Sequence, residues 1–474
     1  ETQTSKLSPG CKFSTIGTVA DWCVDIEADR LKVGAHTLTR SSCSFTSAMT
    51  VAVGTALKLT GDPSTPTVLS GMTSTRFFVV NGQLTLDNLI FKEGKASGDG
   101  GAFLVTGFGS KLHMKRSVVR DCEAVNAGGA VRAENGGVLV MEDSTLELNK
   151  AKWGGAVSAN SEAKIILKVG TTSYVKNNIA TENGGGFSLK DAGTQLDVSG
   201  QHTKLVVKEN TAKGWAGGGL SATNAATVTV SDGAQLNVTK NSATKYAGGF
   251  YLQGTGTRLD VGGKDSKLFM VENVATASGA GAWVCTESLF SISSGATVAC
   301  ERNSAGTDGG CLLVQKSELQ IKGTDTKFLV DGNTGEYGGG LSFILQASAT
   351  ISDSAVVKIA RNDALQKDGG GIYSTDASSI KVSGSGTKLI VEQNTAITSG
   401  GGIYGGTGSS FVVDSSAVLE VKNNVAEIHG AGILLTDQGT FLNVIDKSTQ
   451  AIVVGNTAKT GSGGGVGIFT GGSL

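Results

Sequence analysis

A run of small residues closed by one larger apolar residue recurs along the chain, as GGAF, GGAV, GGAV, GGGF, GGGL, AGGF, GAGAW, GGCL, GGGL, GGGI, GGGI, GAGI and GGGV. The closing residues are Phe103, Val131, Val157, Phe187, Leu220, Phe250, Trp283, Leu312, Leu341, Ile372, Ile403, Ile433 and Val466, with gaps of 26 to 33 residues. Glycine loses more backbone entropy on ordering than any other residue, so a cluster repeated this often needs a structural reason. Self-similarity at such a period marks a solenoid.

Between glycine clusters lie three short segments of alternating apolar residues; after Gly219 they read GLSA, TVTV and QLNV. Period-2 alternation of β-branched residues predicts strands with one buried face. Three such strands and their corners make one coil of a parallel β-helix, each strand pairing with its counterpart about 4.8 Å along the axis. Crossovers between parallel strands are overwhelmingly right-handed. The expected fold is therefore all-β: a right-handed parallel β-helix of about thirteen coils over 51–474, with 1–50 as an N-terminal cap that hides unpaired strand edges. Although 70 of the 474 residues are Gly, 39% are apolar, which separates this chain from disordered Gly-rich sequences.

A second column precedes the glycines from the third cluster onward: Asn149, Asn178, Asn210, Asn241, Asn273, Asn303, Asn333, Asn362, Asn394, Asn424 and Asn456. Three residues before each stands an apolar residue or Cys300, and two residues after it Ala, or Gly at Gly335. Asparagine tolerates left-handed backbone, and identical turns stacked coil on coil let its amides form a ladder. The glycines supply positive φ and allow close backbone approach at the corner.

The stretches "NKAKWGGAV", "KNSATKYAGGF" and "LTLDNLIFKEGKASGDGGAF" resemble the FxxN and GGA(I/L/V) repeats of the chlamydial polymorphic outer-membrane proteins, from about residue 84 to the end. The resemblance implies a right-handed β-helix passenger, displayed at the cell surface, adhesive and not enzymatic.

A two-coil rhythm runs inside the first. Corners between the second and third segments span seven and six positions in alternation from Val198–Leu205 to Val413–Leu419, and the long ones end in Lys204, Lys267, Lys327 and Lys388. That row is either a solvated corner or a grip for a polymer or neighbouring chain. Lateral self-association would use it. Duplication of a two-coil unit would produce it without any function.

Forty basic residues balance 41 acidic ones, so the basic excess of a nucleic-acid binder is missing. No stretch approaches the roughly 20 apolar residues of a membrane-spanning helix. The first residue is not Met, and the last coil is open, which predicts that the chain continues or docks end-on against another module or subunit. Cys11, Cys23 and Cys43 cluster near the start, either as thiols or as a disulfide that places the chain in an oxidising compartment. Cys285 and Cys300 are both expected to face the core, as packed thiols or as a transverse disulfide.

Trp153, Trp215, Tyr246 and Tyr337 fall in the variable turn between Asn and Gly. They either shield the glycine corner or form a platform for a sugar or a partner protein. Asn237-Val-Thr239 is a glycosylation sequon. No catalytic set, metal-ligand spacing or cofactor motif stands out. The expected function is an extracellular structural or adhesive rod binding a protein or glycan at the cell surface. The alternative is a β-helix enzyme that modifies polysaccharide.

Overall fold

The structure, a computed structural model, describes residues 13–15, 34–38, 42–45, 47–62 and 64–474. Every regular element among them is a strand. The chain divides into two compact units, Glu1–Gly214 with Gly218–Ser221, and Trp215–Gly217 with Ala222–Leu474. Both are parallel β-solenoids. Six glycine-row strands, Met49–Val51 to Phe187–Lys190, belong to the first unit, and eight, Phe250–Gln253 to Val466–Ile468, to the second, close to the expected coil count.

Each full coil contains four strands rather than the three expected. In the coil from Phe250 they are Phe250–Gln253, Arg258–Gly262, Lys267–Val271 and the two-residue Val274–Ala275. Each pairs in parallel with the next coil, in the registers Phe250↔Ala282, Leu259↔Phe290, Met270↔Cys300 and Ala275↔Ala305. The fourth strand is the Asn-x-Ala segment, too short to show as alternation. Its inward residue is Ala because the corner it closes is tight: Ala275, Ala280 and Ala305 pack together, all buried.

The inward columns are closed to solvent. In that coil Phe250, Leu252, Leu259, Leu268 and Met270 are fully buried, each contributing about 1.5–3 kcal/mol by removal from water. The first unit adds an aromatic cluster, in which Phe77 meets Phe45 at 5.1 Å and Phe91 at 5.0 Å, edge to face. Its rows start within the segment expected to cap the fold. Gly34–Leu38 already pairs in parallel with Ala56–Thr60, and Phe13–Thr15 lies antiparallel on its other side.

The asparagine ladder is present in both units. Asn303 Nδ2 donates to Asn333 Oδ1 and to the Met270 carbonyl, both at 2.9 Å, while the Asn303 N–H donates to the same Oδ1 at 2.9 Å. Each rung thus ties three coils, and the side chains from Asn149 to Asn424 are fully buried. The left-handed residue is not the asparagine, as expected, but the one before it: Leu148, Asn177, Glu209, Lys240, Glu272, Arg302, Arg361, Gln393 and Asn423 have φ between 52° and 58°. Turning the chain one residue early aims the amide inward along the axis.

Ladder and glycine corner form one device. Gly309 has φ +64°, and a Cβ on Gly310 would lie 2.2 Å from the Gly339 carbonyl of the next coil. A Cβ on Gly371 would lie 3.0 Å from Asn394 Nδ2. Backbones therefore approach closely where the amides stack, and only small residues fit.

Two inward assignments change. Ala282, not Trp283, is in register with Phe250 and Leu312. Because side chains alternate, this one-residue slip turns Trp283 and Cys285 to the outside of the strand. Cys285 is a free thiol there, and Cys300, which does face the core, is bonded instead to Cys311 of the following glycine corner. The expected pairings of Cys11, Cys23 and Cys43 lie outside the described side chains. No helix of the described residues is long and apolar enough to cross a membrane.

Candidate functional site

Glycine corners leave the outer surface of the glycine row without side chains of its own at each turn, so residues on either side of the corner cover it. In the second unit several of these residues are aromatic or acidic, among small and aliphatic ones such as Ser278, Leu313 and Ser342. Two columns run side by side along the coils. One is the turn residue before the glycines, where the bridges Ala216↔Tyr246, Asp308↔Tyr337 and Ser399↔His429 mark successive coils. The other is the second residue of each glycine strand, with Tyr251↔Trp283, Trp283↔Leu313 and Tyr373↔Tyr404 in register.

The columns produce two clusters. Trp215 meets Tyr246 at 5.2 Å, edge to face rather than stacked. Tyr246 continues to Trp283 at 4.3 Å, and Trp283 to Tyr251 at 5.3 Å. Lys245 Nζ lies 4.6 Å above the Trp215 ring, and Cys285 and Ala247 close the cluster from beneath. Burial pushes the Cys285 thiol up to about 11, so it packs as an inert group.

The second cluster joins Tyr337 to Tyr373 at 5.0 Å and Tyr373 to Tyr404 at 5.1 Å, the last pair stacked within 15°. Two half-buried carboxyls flank Tyr337 in its column. Asp308 accepts from Ser278 Oγ at 3.2 Å, and Ser278 in turn is 2.6 Å from Thr307 Oγ1. Asp368 accepts from Thr398 Oγ1 and from the Ser399 N–H at 2.9 Å. Partial burial holds both carboxyls above the usual carboxylate range, and Glu336 adds to this at Asp308. Burial, then the carboxylates of Asp368 and Asp437, pushes the Tyr404 hydroxyl up to about 12. These side chains can donate and accept hydrogen bonds in a line, one set per coil.

Of the aromatic residues expected at a surface, the structure brings Trp215 and Tyr246 together and places Tyr337 in the tyrosine cluster. Trp153 stands in the first unit, 38% exposed, with Lys152 Nζ 4.4 Å above its ring. Tyr251, Trp283, Tyr373, Tyr404, Asp308 and Asp368 were not foreseen. Their signal was available in the register: aligning each corner by its three small residues places Tyr251, Trp283, Tyr373 and Tyr404 at one position.

Lys267, Lys327 and Lys388 form a single exposed column, separated by Thr297 and Val356, so that they recur every second coil, about 10 Å. Lys204 starts the equivalent strand Lys204–Lys208 in the first unit. The rhythm has a packing cause. Thr326 Oγ1, before Lys327, accepts from the Gly295 N–H of the preceding short corner at 3.0 Å, and Ser266 and Thr387 do the same for Gly233 and Ser354 at 3.0 Å. The short corners carry buried Ala234, Ala296 and Ala355 at this position. A hydroxyl corner thus caps an alanine corner, and coils come in pairs. Asn237 faces outward, its Oδ1 accepting from Gln235 Nε2 at 2.8 Å.

Comparison with protein-family models, curated proteins and solved structures returns no match.

Proposed function

We propose that this chain is an extracellular structural or adhesive scaffold whose second unit presents the aromatic and acidic strip to a partner at the cell surface. The observation that carries this reading is the strip. Coil after coil repeats one core, while tyrosine, tryptophan and carboxyl side chains gather on a single outer face. The Cys300–Cys311 disulfide supports an oxidising location. The repeat's resemblance to the polymorphic outer-membrane proteins supports surface display.

Treatment of intact source cells with a membrane-impermeant amine reagent tests the placement, since the exposed Lys267, Lys327 and Lys388 would be modified without lysis. Labelling only after lysis would overturn it. A polysaccharide-modifying enzyme is the second reading, favoured by the raised carboxyls of Asp308 and Asp368. Their two-coil separation, about 10 Å, lies at or beyond the roughly 5–9.5 Å span of glycosidase carboxyl pairs. Binding without turnover is the simpler use of this pair.

A further inference from the structure

We infer that the strip from Asp308 to Tyr404 binds an extended ribbon of β-linked hexoses that is uncharged or carries ammonium groups, laid along the solenoid axis. This rests on the binding-scaffold reading above and specifies its ligand.

Asp308, Tyr337 and Asp368 occupy one column in consecutive coils: the Gly309 N–H donates to the Tyr337 carbonyl at 3.0 Å, and the Gly338 N–H to the Asp368 carbonyl at 3.1 Å. The two carboxyls therefore stand two coils apart, about 10 Å, with one tyrosine between them. A ribbon of β-1,4-linked hexoses advances by nearly one coil per sugar and turns each sugar over relative to the last. Alternate sugars then offer the same hydroxyl edge to alternate coils. Polypeptides and nucleic acids do not share that repeat.

Tyr373 and Tyr404 stack with their planes 15° apart, and Tyr337 is inclined at 49° to Tyr373. All three are half-buried rather than enclosed. Sugar rings match such a surface with hydroxyls at the rim and C–H groups on the face. Asp308 and Asp368 are held by hydroxyls and backbone on one side, in the pattern of groups fixed before a ligand arrives.

Asp308, Glu336, Asp368 and Asp437 act on this cluster, with Lys367 beside Asp368. Such a surface repels uronate or sulfated chains and attracts ammonium groups, which also find aromatic rings favourable.

The test is calorimetric titration of the whole chain with three oligosaccharides: cellohexaose, a β-1,4-glucosamine hexamer, and an oligogalacturonate of similar length. The expected result is binding of the first two, tighter for the amino sugar, and none of the third. Tyr404→Ala should weaken both ribbons by about tenfold, the loss of one aromatic contact and its hydroxyl. Asp308→Asn with Asp368→Asn, which keeps shape and acceptors, should abolish the preference for the amino sugar. No binding of either ribbon, equal binding of the acidic chain, or unchanged affinity in a folded Tyr404→Ala variant would each overturn the inference. The titration is independent of surface labelling. Labelled cells with no ribbon binding would sink the ligand class and leave the scaffold reading, whereas ribbon binding by a chain labelled only after lysis would do the reverse.

Discussion

At the residue scale, the fold forces ordinary residues into a conformation that suits glycine. Leu148 precedes the first ladder asparagine with φ 58°, and its side chain is 46% exposed. A non-glycine residue there costs about 1–2 kcal/mol and gains little from burial. Leu148→Asn should stabilise the protein by about 1 kcal/mol, read as a raised urea midpoint at unchanged slope. Asp308 and Asp368 are also strained, electrostatically. Their folded pKa values lie above the ordinary 3.8 because burial disfavours the charge. The folded state therefore holds its protons more tightly than the unfolded one. The stability this confers is present below 3.8 and is lost as pH rises through the raised values. Asp368→Asn retains acceptors for Thr398 and Ser399, so it should be more stable than wild type at neutral pH, the gap closing under acid. Parallel pH dependences would exclude this account.

At the element scale, the unit of stability is the rung. Asn333→Ala removes the acceptor of the Asn303 N–H and Nδ2 and the donor to Asn362 and the Cys300 carbonyl. Two buried N–H groups left unpaired predict a loss of about 3–5 kcal/mol. Asn333→Asp should cost more than alanine at neutral pH, since a buried carboxylate would face two acceptors. Protonation restores one donor, so the Asp variant should recover in acid and the Ala variant should not, by the same denaturation measurement. The corner hydroxyls work alike on a smaller scale. Thr326→Val keeps the volume but orphans the Gly295 N–H, and thermal unfolding should report a loss of about 1–3 kcal/mol.

At the scale of the whole molecule, the two-coil rhythm ties packing to surface pattern. Hydroxyl corners alternate with alanine corners because each hydroxyl caps its neighbour, and the lysines follow the long corners. Core packing thus sustains the rhythm, which the sequence alone left to duplication or assembly. Replacing Lys204, Lys267, Lys327 and Lys388 with Glu should leave the melting temperature nearly unchanged, since exposed charges contribute within about 1 kcal/mol each. Sedimentation of wild type and variant should match if packing is the whole cause. Dissociation of an assembly in the variant would instead assign the row to lateral contact.

Much of the fold was legible because a solenoid repeats its constraints. Period-2 alternation fixed the strands, and a column of Asn three residues beyond an apolar position fixed the ladder. Such signals are local, and repetition along the chain makes them unambiguous. What escaped was set by register between coils. Trp283 closes a run of four small residues, which leaves the frame of its corner ambiguous in the chain, and pairing with Phe250 and Leu312 gives Ala282 the core position. Cys122 fills the ladder position one coil before Asn149: its N–H donates to Asn149 Oδ1 at 3.1 Å and its sulfur accepts from the Gly94 N–H at 3.3 Å. The strip follows the same logic. Asp308, Tyr337 and Asp368 lie 29 and 31 residues apart in the chain, and no local pattern links them. The sequence by itself determined the repeat, the strands and the buried columns. Only the stacking of coils, which converts a 30-residue spacing into a contact about 5 Å long, decided which side chains share a surface.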